Sequence, residues 1–269
     1  MADSLWLGTT SDAWATSANW SSAPGTGDHV RLVPLYNNAL AGSDQSGTAI
    51  GDFFVESGYS KAIGSKTANL KIDPNFFSYA GTGQAFIDLH SAAITAEINA
   101  TATASTGEHG LYLIASALTQ LVVGSGDVGI AARHNTSATV TTININGGSV
   151  TCGEGTSLTT LNVYGGSAVL RCNATTVNVY GGTVTLEEQA AVTTLNLKGN
   201  GTVYYNSTGT VGTAVLDSGS LDCTRSGLSR TISSLKVNEG SISYDPDRVT
   251  VSARSEPDNP VSTSVSKAY

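Results

Sequence analysis

The chain has 269 residues, enough for one or two domains with a sizeable apolar interior. Charged residues are only 13% and apolar residues 40%, with a mean hydropathy of +0.01, which excludes a disordered chain and leaves solubility to neutral polar groups. Thirteen basic residues against 21 acidic ones give a net charge of −8 with no run of Lys or Arg, which disfavours electrostatic binding to nucleic acid.

The start, Met1 to Thr10, has an acid at position 3 and no apolar run of 7–15 residues, so it does not read as a signal peptide. No stretch approaches the ~18 consecutive apolar residues of a membrane helix, and the expectation is a protein made and kept in the cytosol unless a complex carries it out. All three tryptophans, Trp6, Trp14 and Trp20, fall in the first 20 residues, and a turn-rich segment leads from them to an apolar strand at Val30 to Val33. Residues 1–35 are therefore expected to form a Trp-rich cap or attachment segment. Residues 36–120 are irregular but β-rich, with alternating runs such as Asn69 to Ile72 and Ile94 to Ile98, and are expected to be continuous with the solenoid of residues 121–254. Residues 121–254 carry a regular repeat, with one more strand expected at Val249 to Val251. Residues 255–269, with Pro257 and Pro260, read as a polar arm.

The repeat decides the fold class. TTININGGSVTC from Thr141, TTLNVYGGSAVL from Thr159, TTVNVYGGTVTL from Thr175 and TTLNLKGNGTVYY from Thr193 are one unit: Thr-Thr, aliphatic, Asn, aliphatic, a Gly turn, and a second alternating run. Marking the first aliphatic position gives Leu121, Ile143, Leu161, Val177, Leu195, Ala214 and Leu235, at steps of 22, 18, 16, 18, 19 and 21 residues. Variable step length with a constant core register suits a parallel β-solenoid, whose corners absorb an extra residue without shifting the stacked strands. The period of two and the Thr, Val and Ile content favour strands over a helical repeat. The expected fold is all-β: a parallel β-helix with short rungs of 16–22 residues and a capped N-terminal end.

Alternation also assigns faces. Asn144, Asn162, Asn178 and Asn196 lie opposite the aliphatic pairs and are expected to stack as an amide ladder, with Tyr164 and Tyr180 stacking two positions on. The alternative for the asparagines is a turn role. The laddered face could bind carbohydrate or a protein surface, or serve only the fold.

Catalytic chemistry finds little support. Cys152, Cys172 and Cys223 have no metal-ligand spacing and read as small buried hydrophobes. His29, His90, His109 and His134 are scattered. Glu154, Glu187, Glu188, Asp217, Asp222, Glu239, Asp245 and Asp247 do not recur at one register position and read as solvated acids, although a chance pair such as Asp217 with Asp222 stays open. Asp245-Pro246-Asp247-Arg248 reads as a turn rather than a calcium loop. Neither a nucleophile elbow nor a phosphate loop occurs, and sequons at Asn19, Asn99, Asn135, Asn173 and Asn206 are expected by chance in so Thr-rich a chain. The expectation is a non-enzyme with no metal and no cofactor.

The opening WLGTTSDAWATSANWSSAPGTGDHVRL, with Trp6, Trp14, Asn19, Trp20, Pro24, Gly27, Asp28 and Val30, resembles the Trp-rich start of β-helical structural proteins of tailed bacteriophages. Related stretches precede autotransporter β-helices, but this sequence has neither the secretion signal nor the translocator barrel of that group. The resemblance implies a virion component assembled in the host cytoplasm. It implies a capsid decoration protein first, fastened to the head shell, non-catalytic and homo-oligomeric in the manner of a trimer. A tail fibre or tailspike that binds, or less readily cleaves, host glycans comes second. The partners it implies are other capsid or tail proteins and, in the second case, carbohydrate; nucleic acid and membrane are not among them.

Overall fold

The computed structural model describes residues 2–90, 94–100, 108–133, 136–255 and 264–265. Its strands stack in parallel as a β-solenoid of about 11 turns, with almost no helix. Among the described residues, helix is confined to two 3-10 turns, Ser17–Asn19 and Pro34–Tyr36. The chain divides into two compact units, residues 1–141 and 142–269, so the boundary falls inside the strand Ala138–Ile145.

In the first unit parallel stacking begins at Asp3–Leu5, which pairs with His29–Leu32, which pairs in turn with Asp44–Val55 and then Leu70–Tyr79. The cap residues thus include rungs of their own. Leu70–Tyr79 is followed by Ala85–Leu89 and Ile94–Asn99, and both of these pair with the long strand Leu111–Ser125. The region 36–120 is therefore built of parallel rungs, and its irregular sequence reflects register shifts after Asp44 and at both ends of Ile94–Asn99. The strand expected at Val30 to Val33 runs from His29 to Leu32, because Val33 leads into the Pro34 turn.

The tryptophans close the start of this unit. Trp6, Trp14 and Trp20 are buried, with ring centroids 4.9 Å apart for Trp6 and Trp20 and 4.7 Å for Trp14 and Trp20, both edge to face. Trp14 continues onto Phe53 and Phe53 onto Phe77, an aromatic column inside successive rungs. The free edge of Asp3–Leu5 is covered: the Leu5 N–H donates to Ser21 Oγ, the Ser21 N–H donates to the Leu5 carbonyl, and Trp6 and Trp20 form an antiparallel bridge. Covering that edge blocks the strand-to-strand association an open rung would invite. Asn19 knots the loop, its Oδ1 accepting from the Thr10 N–H and hydroxyl and the Ser11 N–H, its Nδ2 donating to Ser11 Oγ and the Ala13 carbonyl. A fully buried amide so committed is a structural residue.

The second unit is built from two columns of strands. The first column runs from Ala138–Ile145 through Thr156–Val163, Ala174–Val179, Val192–Leu197, Val211–Leu216 and Arg230–Val237 to Val249–Ser255. The other runs from Ser149–Cys152 through Ser167–Leu170, Thr183–Leu186, Thr202–Tyr205 and Ser220–Asp222 to Ser241–Tyr244. Leu161, Val177, Leu195, Ala214 and Leu235 are register partners in sequence, all fully buried, as the repeat predicts. Between the columns Gly148, Gly166 and Gly182 adopt φ of 73°, 71° and 70°, the left-handed conformation that lets each turn repeat the one before it. Asp245 to Arg248 forms the expected turn, closed by the Asp247 N–H on Asp245 Oδ1. Of the predicted polar arm, Ser255 ends its strand and Ser264–Val265 pairs with Ser243 and Tyr244; the remainder lies outside the described residues, as do His134 and Asn135.

Candidate functional site

Thr-Thr followed by aliphatic-Asn-aliphatic fixes the outer wall of the first column. Thr160, Thr176, Thr194 and Thr213 are in register, as are Asn162, Asn178 and Asn196. Asn162 Nδ2 donates to Asn144 Oδ1 at 2.8 Å, Asn178 Nδ2 to Asn162 Oδ1 at 2.8 Å, and Asn196 Nδ2 to Asn178 Oδ1 at 2.9 Å. The predicted asparagines thus form one chain of hydrogen bonds with a single polarity, Asn144 accepting and Asn196 donating, and their side chains serve the ladder rather than a turn. The next partners of Asn196 are Val215 and then Lys236, where the amide series ends.

Tyr164 and Tyr180 stack with centroids 4.8 Å apart and planes 7° from parallel, 50% and 36% exposed. Each ring covers one face of the other, and Lys198 Nζ lies 5.6 Å from the centroid of Tyr180 on the following rung. Stacking of a sugar needs a ring face, and self-stacking takes one face of each ring, with Lys198 against Tyr180 besides.

The predicted cap residues Trp6, Trp14 and Trp20 come together, but their rings face one another and Phe53, so a partner could not touch them directly. Among the described residues, the large apolar side chains that stand out of the first unit are Leu35 and Tyr36.

The structure reveals a second feature that alternation conceals. In each rung of the first column two consecutive residues stay out of the core, Thr159 with Thr160, Thr175 with Thr176 and Thr193 with Thr194, so the strand bends there. On the near side of the bend a groove of about 630 Å³ crosses four rungs, lined by Thr156, Asn173, Thr175, Thr193 and Thr210 over a floor that includes Leu158. At one end stands Glu154. The neighbouring Glu154 carboxyl raises Glu188 from its ordinary value, and the two line one shallow depression. Arg171 Nε is 3.1 Å from Glu187 and 3.5 Å from Glu188. Glu188 is one of two non-glycine residues at positive φ among those described, at 57°, and its carbonyl accepts from Ser207 Oγ and from the Thr208 N–H and hydroxyl. Taken singly, these acids are solvated surface groups. The signal that joins them is position: each lies two residues beyond the last aliphatic-side position of its strand, Cys152 and Leu186, with one rung between.

Other candidates separate. Asp217 accepts from Asn238 Nδ2, whereas Asp222 accepts from Thr224 and Arg225, so each is committed to its own partners. His29 lies 2.9 Å from Asp52 and His109 3.1 Å from Asp127. All three cysteines are free and buried, and burial pushes the Cys223 thiol up to about 12. Among the described residues no group of three or more His, Cys, Asp and Glu is placed to hold a metal, and no helix is long and apolar enough to cross a membrane.

Fold and wall together define a parallel β-solenoid with a self-bonded amide ladder. No family model, curated protein or solved structure matches the chain.

Proposed function

We propose that the protein is a non-enzymatic structural component of a tailed-phage virion, a decoration protein that fastens to the head shell as a homo-oligomer after assembly in the host cytoplasm. The observation that carries this is the amide ladder, in which four successive outward asparagines bond to one another without charge. Such a wall is stiff and insensitive to salt, properties that suit a shell component rather than a moving catalyst. The Trp-rich opening, buried as a cap, adds its resemblance to phage β-helical proteins. Gold-labelled antibody on intact particles from the strain that encodes the chain tests the assignment: label spread over the head supports it, and particles without label contradict it. Label confined to the tail tip would favour a second role, a glycan-binding fibre, which the groove beside Glu154 supports.

A further inference from the structure

The groove is built differently from the rest of the wall. It crosses four rungs, hence three intervals of ~4.8 Å, or about 14 Å along the strand-stacking direction. Its volume of about 630 Å³ lies within the range of small-ligand sites, roughly 300–1,000 Å³. Thr175, Thr193 and Thr210 repeat one hydroxyl per rung at exposed positions, Asn173 adds a carboxamide, and half-buried Ala191 gives a small apolar contact above the core residues Leu158 and Val192.

Its chemistry selects among ligand classes. Phosphorylated chains need cations, but no Lys or Arg lines the groove, and the adjacent Arg171 is already paired with Glu187 and Glu188. An added peptide strand needs an unpaired sheet edge, whereas Ala174–Val179 and Val192–Leu197 are paired on both sides. A lipid tail needs an apolar wall, and this one is hydroxyl-rich. A polyhydroxylated chain meets a donor or acceptor at every rung.

We propose that this groove binds an extended, uncharged oligosaccharide lying across successive rungs, with its hydroxyls read by the threonine series and Asn173. This deepens the glycan-binding role and is independent of attachment to the head, because particle labelling and sugar binding are read separately.

Titration calorimetry of the full chain with linear neutral hexasaccharides of glucose, galactose and mannose, and with hexametaphosphate as the anionic contrast, tests it. At least one neutral hexasaccharide is expected to bind and hexametaphosphate not to. Thr193→Trp, which fills the groove from an exposed position, should weaken binding about tenfold or more, while Tyr164→Ala on the other side of the bend should leave it unchanged. If Thr193→Trp does not retain the wild-type circular dichroism, Ser157→Trp fills the same groove from two rungs away. Absence of heat with all three neutral sugars, binding that survives the filling variant, or binding lost in Tyr164→Ala but kept in Thr193→Trp would overturn the proposal.

Discussion

In the first unit the charged contacts between rungs are complementary, whereas the second adds a series in which the same residue recurs from rung to rung. Lys71 sits between register partners Asp44 and Asp88, Arg31 pairs with Glu56 and lies 5.4 Å from the centroid of Phe54, and His29 faces Asp52. In the second unit Asn bonds to Asn and Tyr stacks on Tyr. A charge cannot stack on its own kind, so an ionic wall must change residue at each rung. An amide carries both a donor and an acceptor, so the same residue can recur indefinitely. One architecture therefore leaves a visible repeat in 142–269 and almost none in 1–141.

The largest expected effect is at the cap. Trp6 is fully buried, touches Trp20, and donates its ring N–H to the Asn38 carbonyl, so Trp6→Ala should destabilise the first unit by about 3–5 kcal/mol. Amide exchange in His29–Leu32 reads this, and unchanged protection there would show that the cap is dispensable.

Turns sharpen the contrast next. A Cβ on Gly182 would lie 2.4 Å from the Gly166 carbonyl oxygen, whereas one on Gly27, also at positive φ, meets nothing within 4 Å. Gly182→Ala adds a backbone collision to the left-handed penalty and should cost about 2–3 kcal/mol, against about 1 kcal/mol for Gly27→Ala. Equal melting temperatures would mean that stacked turns impose no tighter constraint than an isolated one.

Acid should give the smallest difference. The Ser46 hydroxyl and N–H, with Lys71, hold the Asp44 carboxyl down at about 2, and backbone N–H groups of Ala2 and Gly25 lower Asp28. A depressed carboxyl stabilises the fold above its unfolded pKa, and that contribution fades as pH falls from the usual value of about 3.9 through the folded one. Burial raises Asp88, which works in the opposite sense and limits the net change. Protection of Val30 and Phe77 should fall modestly between about pH 4 and 2, while that of Val177 and Leu195 stays level.

Legibility in the sequence follows the same division. The core column of Leu161, Val177 and Leu195 and the ladder of Asn162, Asn178 and Asn196 are readable because each rung writes the same residue in the same place. The rungs of residues 36–120 are not, because register shifts break the spacing and complementary pairs such as Asp44 and Lys71 share no identity. The clustering of Trp6, Trp14 and Trp20 is visible, but the buried role of Asn19 is hidden behind a sequon. The groove escapes because it depends on a bend at Thr175 and Thr176, where strict alternation fails. Glu154 and Glu188 meet across an intervening rung, a relation that one-dimensional spacing does not display.

The polarity of the amide chain gives the most direct test. Asn144 only accepts within the ladder, whereas Asn162 accepts from Asn178 and donates to Asn144. Thermal unfolding of Asn144→Asp and Asn162→Asp at neutral pH should therefore differ: the first keeps its acceptor and should change stability by no more than about 0.5 kcal/mol. The second sets two acceptors against each other and should lose about 1–3 kcal/mol. Equal melting temperatures for the two variants, or an unaffected Asn162→Asp, would contradict a directional amide ladder as the bond between rungs.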